Sequence, residues 1–219
     1  LDYKIAKLYW PGPLTLILEK KKISKISSKI SNNTLYVGCR IPKNKTALQL
    51  LRKLDFPLAA PSANLSTKVS TTRYTDIDAR LKNKIFVLKG KSSLGLESTV
   101  IQTKKNTINI LRQGSISEEE IKSKFKYLKF NKIVNKNLSP GNQKKHYSTN
   151  LPLRINVKKV KKNESLLNFG KNKLSSKIYN LNLSISGNLV EASKNFFHYL
   201  HILDKIKSKG IAVARIPNK

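Results

Sequence analysis

Short β-rich apolar runs alternate along this chain with segments of helical apolar spacing, and that alternation restricts the fold to the α/β class. Residues 14–18 (LTLIL) and 35–41 (LYVGCRI) read as strands on either side of a connection rich in Lys and Ser. Residues 45–54 (KTALQLLRKL) carry apolar side chains at helical spacing and lead into 57–60, read as a short buried strand that Pro61 stops. After a polar loop and a short helix near 76–81, strands are expected at 85–88, 98–103 and 107–111. A helix over 117–125 follows, where Ser117 and Glu120 fit a capping box. A first domain of mixed sheet and helices is therefore expected over 1–125.

Residues 126–152 are polar and charged, contain Pro140 and Gly141, and show no sustained apolar period, which predicts a linker. Beyond it, 153–157 and 177–185 read as strands. Leu189, Ala192, Phe196, Tyr199, Leu203 and Ile206 recur at helical spacing up to Gly210, read as the helix-ending glycine, and 211–216 is the next strand. Strand, helix, strand predicts a smaller parallel α/β domain of Rossmann-like type over 153–219. Neither Leu1 nor the run ending at Lys219 resembles a natural terminus, so the chain is read as a fragment lacking both ends.

Charge narrows the function less than its size suggests. Lys and Arg number 44 against 12 acidic residues, a formal charge of +32, which ordinarily points to phosphates of nucleic acid. Nearly all these cations are Lys, they accompany many Asn and Ile, and they spread along the chain instead of forming a stripe. That pattern reads as codon bias and a solvated surface, while bidentate phosphate and guanine contacts favour Arg. The surface stays available for tRNA contact. Cys39 is the single cysteine and forms no internal disulfide, and with three histidines it supplies no zinc cluster. No run of 18 or more apolar residues and no basic segment leading into an apolar one exists, so no membrane association and a cytoplasmic location are expected.

Several catalytic signatures fail. Gly90-Lys91-Ser92 follows an expected strand, but a phosphate loop needs glycine where Ile85 stands. His198 and His201 lie three apart on the expected helix, yet no third metal ligand accompanies them, and no protein-held metal is expected. Neither a nucleophile elbow nor a dinucleotide fingerprint is present. What remains is a set of small polar segments at strand ends and turns: Pro11-Gly-Pro-Leu-Thr15, Arg40-Ile-Pro42, Ala60-Pro-Ser-Ala-Asn64 and Gly95-Leu-Glu-Ser-Thr99. Each alone could be only a turn.

In order and spacing, Trp10-Pro-Gly-Pro-Leu-Thr15, Val37-Gly-Cys-Arg-Ile-Pro42, Pro57-Leu-Ala-Ala-Pro-Ser-Ala-Asn-Leu-Ser66, Gly95-Leu-Glu-Ser-Thr-Val-Ile101 and Ile110-Leu-Arg-Gln-Gly114 resemble successive motifs of the YrdC-type family. Ser139-Pro-Gly with Lys145-His-Tyr147 resembles the linker motif of its two-domain members, the threonylcarbamoyl-AMP synthases, and residues 211–217 resemble the start of the last motif of their C-terminal domain. Departures occur at Gln113, where proline is usual, at Asn142 and Gln143, and at Thr67 and Thr71, where Gly and Pro are common. The family's basic K-x-R motif would fall upstream of Leu1.

The resemblance implies a twisted mixed sheet with a concave ligand cleft, a linker that closes over it, and condensation of L-threonine, bicarbonate and ATP with Mg²⁺. The products are threonylcarbamoyl-AMP, passed to a tRNA-modifying transferase, and pyrophosphate. By motif match, Arg40, the Ala60 carbonyl and Ser98 would hold threonine, and Tyr36, Ser62, Asn64, Ser70, Arg112 and Tyr147 would meet ATP. Glu97 receives no acid–base role, and no covalent nucleophile is required. The alternative is a non-catalytic YrdC-like module binding double-stranded RNA, from which binding of ATP and threonine discriminates. Carbamoyl-phosphate-dependent transfer is a third reading, in larger proteins with acylphosphatase and zinc-finger segments not visible here.

Overall fold

The computed structural model describes residues 1–132 and 147–217. The chain divides into two compact units, each built from two stretches: Leu1–Pro61 with Glu97–Lys144, and Ser62–Leu96 with Lys145–Lys219.

Unit 1 is a five-stranded mixed sheet. Its strands are β1 (Leu14–Glu19), β2 (Tyr36–Cys39), β3 (Thr99–Lys104), β4 (Thr107–Arg112) and β5 (Lys129–Lys132), in the order β2-β1-β3-β4-β5. The β1–β2 and β3–β4 pairs are antiparallel, β1–β3 and β4–β5 parallel. The two-residue period of the strands divides the core. Leu14, Leu16, Ile101, Ile108 and Ile110 belong to one buried cluster with Ile5 of helix α1 (Asp2–Tyr9) and Ile121 of α4 (Glu118–Lys124), whereas Ile17, Val100 and Leu111 form a second with Tyr36. Ser117 caps α4, its side chain accepting from the Glu120 amide at 3.1 Å. Helix α2 (Lys45–Leu51) is capped by Asn44 and buries no residue.

Three features of unit 1 depart from the pattern-based reading. Residues 57–60 are exposed and form no strand, because Pro57 and Pro61 lack amide donors and leave little to build a ladder with. Lys129–Lys132, expected within a linker, is instead the edge strand β5. Helix α1 was not expected, although Leu1, Ile5, Leu8 and Tyr9 recur at helical spacing; Ile5 is buried, and Leu1, Ala6 and Tyr9 pack partly buried against the same cluster.

Unit 2 holds a parallel sheet of β6 (Leu153–Val157), β7 (Glu164–Asn168), β8 (Asn180–Asn182) and β9 (Gly210–Ala214), in the order β6-β9-β7-β8. β9 is buried at every position, which explains its unbroken apolar sequence. Helix α5 (Leu189–Leu203) contributes Ala192, Phe197, Leu200 and Leu203 to a cluster with Leu167, Ile211 and Val213. The segment 62–96 packs in the same unit, carrying a short 3₁₀ helix at Tyr74–Asp76 and α3 (Ala79–Lys82). The strand expected at 85–88 does not form and Phe86 is 90% exposed. Backbone pairing goes instead to the flanks, where the Tyr74 amide donates to Gly90 and the Ser92 amide to Thr72. Gly210 does not end the helix; Asp204 is its C-cap and Gly210 opens β9. Among the described residues no helix is long and apolar enough to cross a membrane.

Arg154 of β6 and Glu164 of β7 form a two-pronged pair, Nε to Oε1 at 2.7 Å and Nη2 to Oε2 at 2.6 Å. The Arg154 hydrogen bonds outweigh burial and bring the Glu164 carboxyl down from 4.5 to about 2. A carboxyl with a lowered folded-state pKa stabilises fully above its unfolded pKa, and that contribution disappears as pH falls through the folded value. Glu164→Gln should therefore lower the urea midpoint most at neutral pH, with the gap to wild type closing as pH falls from 4.5 towards 2. A gap independent of pH would show that the pair contributes no linked stability.

Candidate functional site

In unit 1 the small polar segments converge through main-chain bonds. The Gly12 amide donates to the Ile41 carbonyl at 2.8 Å and the Thr99 amide to the Pro13 carbonyl at 3.0 Å, joining the turn before β1 to the end of β2 and the start of β3. Only glycine fits that turn, since a Cβ on Gly12 would lie 2.1 Å from the Tyr9 carbonyl oxygen. Ser98, 4% exposed, stands at the junction. Its hydroxyl shares a 2.8 Å hydrogen bond with Thr15 and accepts from Arg112 Nη2 at 3.0 Å. The same guanidinium donates through Nε and Nη2 to the Ser98 carbonyl at 3.1 and 2.9 Å and lies 3.8 Å from Glu97 Oε2. The Glu97 carbonyl in turn accepts from the Ser115 amide and hydroxyl at 2.9 and 3.0 Å. Gly114 closes the arrangement: a Cβ there would meet the Glu97 carbonyl oxygen at 2.4 Å and the Ser98 carbonyl carbon at 2.6 Å.

Arg40 follows β2 and makes no hydrogen bond or salt bridge with the described residues. Desolvation lowers its pKa, Glu97 opposes that shift and Arg112 reinforces it, so its charge is held near an acid and another cation. Tyr36 is half-buried against Ile17, Val100 and Leu111, and Ala60 is exposed. Of the residues expected to hold threonine, the structure groups Arg40 and Ser98 electrostatically through Glu97 and Arg112. Arg112, expected at ATP, closes on Ser98.

The other expected ATP residues lie in unit 2. Asn64 Nδ2 donates to the carbonyls of Leu65 and Lys68, both at 3.0 Å, fixing the turn that carries it. Lys68 forms a parallel bridge with Ser148, and the Ser148 amide donates to Thr67 at 2.8 Å. That bridge brings Tyr147 beside the 64–70 loop, its ring stacked on Phe197 at 5.6 Å. Ser70 is buried, and Ser62 is exposed at the loop's start. The remaining linker motif, 139–146, and the departures at Asn142 and Gln143 lie outside the described residues. His198 and His201 face Asp76 Oδ1 and the Ser70 carbonyl, and among the described residues no group of three or more His, Cys, Asp or Glu could hold a metal.

The Sua5–YciO–YrdC family model, described as "Telomere recombination", matches residues 2–114. The chain belongs to this family. A second model, "Threonylcarbamoyl-AMP synthase, C-terminal domain", matches 116–219. The chain is 35% identical over 159 residues to a threonylcarbamoyl-AMP synthase of Bacillus subtilis and 33% over 151 residues to one of Pyrococcus abyssi. Those alignments cover 69% and 66% of this chain but 45% and 44% of the relatives, so the chain spans about half the length of the curated relatives it matches. A crystal structure of P. abyssi Sua5 complexed with L-threonine superposes with a TM-score of 0.85 at 26% identity, covering all of this chain and 69% of that one.

Membership in the Sua5–YciO–YrdC family agrees with the resemblance read from the motifs and with the mixed sheet and separate parallel sheet. Reading the motifs placed Thr15 in the small polar segment Pro11–Thr15 but gave it no role, and it gave Asp76 none either. It also left two departures unexplained that the structure accounts for. Gln113 uses its side chain to donate to Glu118 at 3.4 Å, which proline could not do. Thr67 stands at φ 67°, in the left-handed region that disfavours a β-branched side chain and favours the glycine common in the family. Thr67→Gly should therefore raise stability by about 1 kcal/mol, read as an increase in the thermal midpoint. An unchanged or lower midpoint would show that the threonine conformation is not strained.

Proposed function

We propose that this chain carries the active site of an L-threonylcarbamoyladenylate synthase, condensing L-threonine, bicarbonate and ATP to threonylcarbamoyl-AMP and pyrophosphate. The observation that carries the reading is the convergence on Ser98, with Arg40 left unbonded beside Glu97 and Arg112, in a member of a family whose relatives bear that name. The P. abyssi relative crystallised with L-threonine supports the amino-acid substrate.

The chemistry asks for positioning and charge neutralisation. The threonine amine and bicarbonate form a carbamate with loss of water, and one carbamate oxygen then bonds to the α-phosphorus as the bond to the bridging β-phosphate oxygen breaks and pyrophosphate leaves. An enzyme accelerates such a displacement by orienting reactants and stabilising phosphate charge. Arg40 offers a planar fork for the threonine carboxylate, with the Ala60 carbonyl and the Ser98 hydroxyl as polar partners. Tyr36, Ser62, Asn64, Ser70, Arg112 and Tyr147 are assigned to ATP, whose Mg²⁺ enters with the polyphosphate as part of the substrate. Arg112 also acts through Ser98, whose carbonyl and hydroxyl it fixes.

In this reading residues 1–125 form the catalytic domain, 126–152 the linker over the nucleotide and 153–219 the C-terminal domain. The product goes to a tRNA-modifying transferase in the cytoplasm, and the surplus of lysines is free to contact tRNA. The test is threonine- and bicarbonate-dependent release of pyrophosphate from ATP, together with Arg40→Lys. Loss of a bidentate, charge-assisted contact should cost about 1.5–3 kcal/mol, raising the KM for threonine at least tenfold while leaving that for ATP nearly unchanged. An unchanged KM for threonine would remove Arg40 from the site.

A further inference from the structure

The segment 62–96 lies within the stretch matched by the first family model, yet it packs in unit 2 with the C-terminal module. Helix α5 is where it is anchored. His198 Nδ1 lies 2.7 Å from Asp76 Oδ1, with the two side chains 14% and 3% exposed. The other Asp76 oxygen accepts from the Thr72 amide at 3.2 Å, the Thr72 hydroxyl at 3.1 Å and the Arg73 amide at 2.9 Å. Burial pushes the Asp76 carboxyl up, but the bonds from His198, Arg73 and Thr72 outweigh it and leave the pKa below its ordinary value. The group is therefore a carboxylate, and His198 Nδ1–H donates to it.

One turn further along α5, His201 Nε2 donates to the Ser70 carbonyl at 3.1 Å. Val69, between these contacts and the turn at Asn64, is 3% exposed in the cluster that includes Leu200 and Leu203. Where the segment returns, the Gly95 backbone presses on the helix so closely that a Cβ would lie 1.8 Å from the Ser193 carbonyl oxygen. The two histidines thus make no solvated helix face; each fixes a different point of one loop. A loop that must present hydroxyl and amide donors to a polyphosphate loses affinity in proportion to the conformations it has to give up, so fixing it in advance is worth binding energy.

We propose that helix α5 is the positioning element of the nucleotide loop: His198, acting through Asp76, and His201, acting through Ser70, hold residues 62–76 in their ATP-binding form. The C-terminal module thereby sets affinity for ATP and leaves affinity for threonine alone. This rests on the assignment of Ser62, Asn64 and Ser70 to ATP made above.

The experiment measures initial rates of pyrophosphate release by the protein carried upstream to include the basic K-x-R motif that the resemblance places before Leu1, varying ATP and threonine separately. His198→Ala and His201→Ala should each raise the KM for ATP about tenfold, as loss of one charge-assisted or buried bond implies, with the KM for threonine within about twofold of wild type. His198→Asn and His201→Gln return an N–H near the positions of Nδ1 and Nε2 and should restore most of the ATP affinity. Thr72→Val removes only the Thr72 hydroxyl bond to Asp76 and leaves that of Thr75; it is the milder variant if an alanine fails to fold, and must raise the KM for ATP in the same direction. A KM for ATP unchanged in these variants, or both KM values rising together without rescue by Asn and Gln, would overturn the inference while the functional assignment stands. A wild-type protein that includes that upstream motif and neither binds ATP nor releases pyrophosphate would overturn that assignment, and this inference with it.

Discussion

The guanidinium of Arg112 closed on the carbonyl and hydroxyl of Ser98 is the interaction on which the first unit's site depends. An arginine fork satisfied by one residue's main chain and side chain fixes both, and here it does so where β3 begins and β4 ends. Everything near it is arranged to keep that approach short. Gly114 admits the Glu97–Thr99 backbone, Ser115 holds the Glu97 carbonyl, and Thr15 takes up the Ser98 hydroxyl from β1. Arg40, whose charge feels both Glu97 and Arg112, makes no hydrogen bond with the described residues, and that is why the proposal gives it the threonine carboxylate.

Unit 2 solves a different problem with the same chemistry. Its loop at 62–76 has little apolar content, so burial of Val69 alone would hold it weakly, and polar groups supply the rest. The Asp76 carboxylate gathers two amides, two hydroxyls and an imidazole, which repays the cost of burying its charge. Asn64 acts similarly on a smaller scale, bonding two carbonyls of its own turn. Thr67 holds the left-handed conformation in the same turn with a β-branched side chain.

Much of this was legible beforehand, for identifiable reasons. β1, β4, β6 and α5 announce themselves because their apolar residues repeat at the period of the element they form, and the motif segments carry the small residues that close backbone approach demands. The strand pattern failed at 57–60 and 85–88, where apolar residues lie in exposed chain: pattern reports what a segment can bury, not whether a neighbour exists to cover it. β5 was missed for the opposite reason, since an edge strand needs hydrogen bonds to β4 and little apolar content. Contacts between residues far apart in sequence, such as Asp76 with His198 or Ser70 with His201, left no local trace at all, and the histidines looked like ordinary polar positions.

The central claim is the proposed division of the site, with threonine at the Arg40–Ser98 group of unit 1 and ATP at the 62–76 loop and Tyr147 of unit 2 as well as at Tyr36 and Arg112. Amide hydrogen exchange on the full chain, with each substrate added alone, measures this directly. Threonine should slow exchange around 40–42 and 97–100, and ATP should slow it around 64–73 and 147–151. ATP-dependent protection confined to unit 1, or threonine-dependent protection of the 64–73 loop alone, would contradict the account.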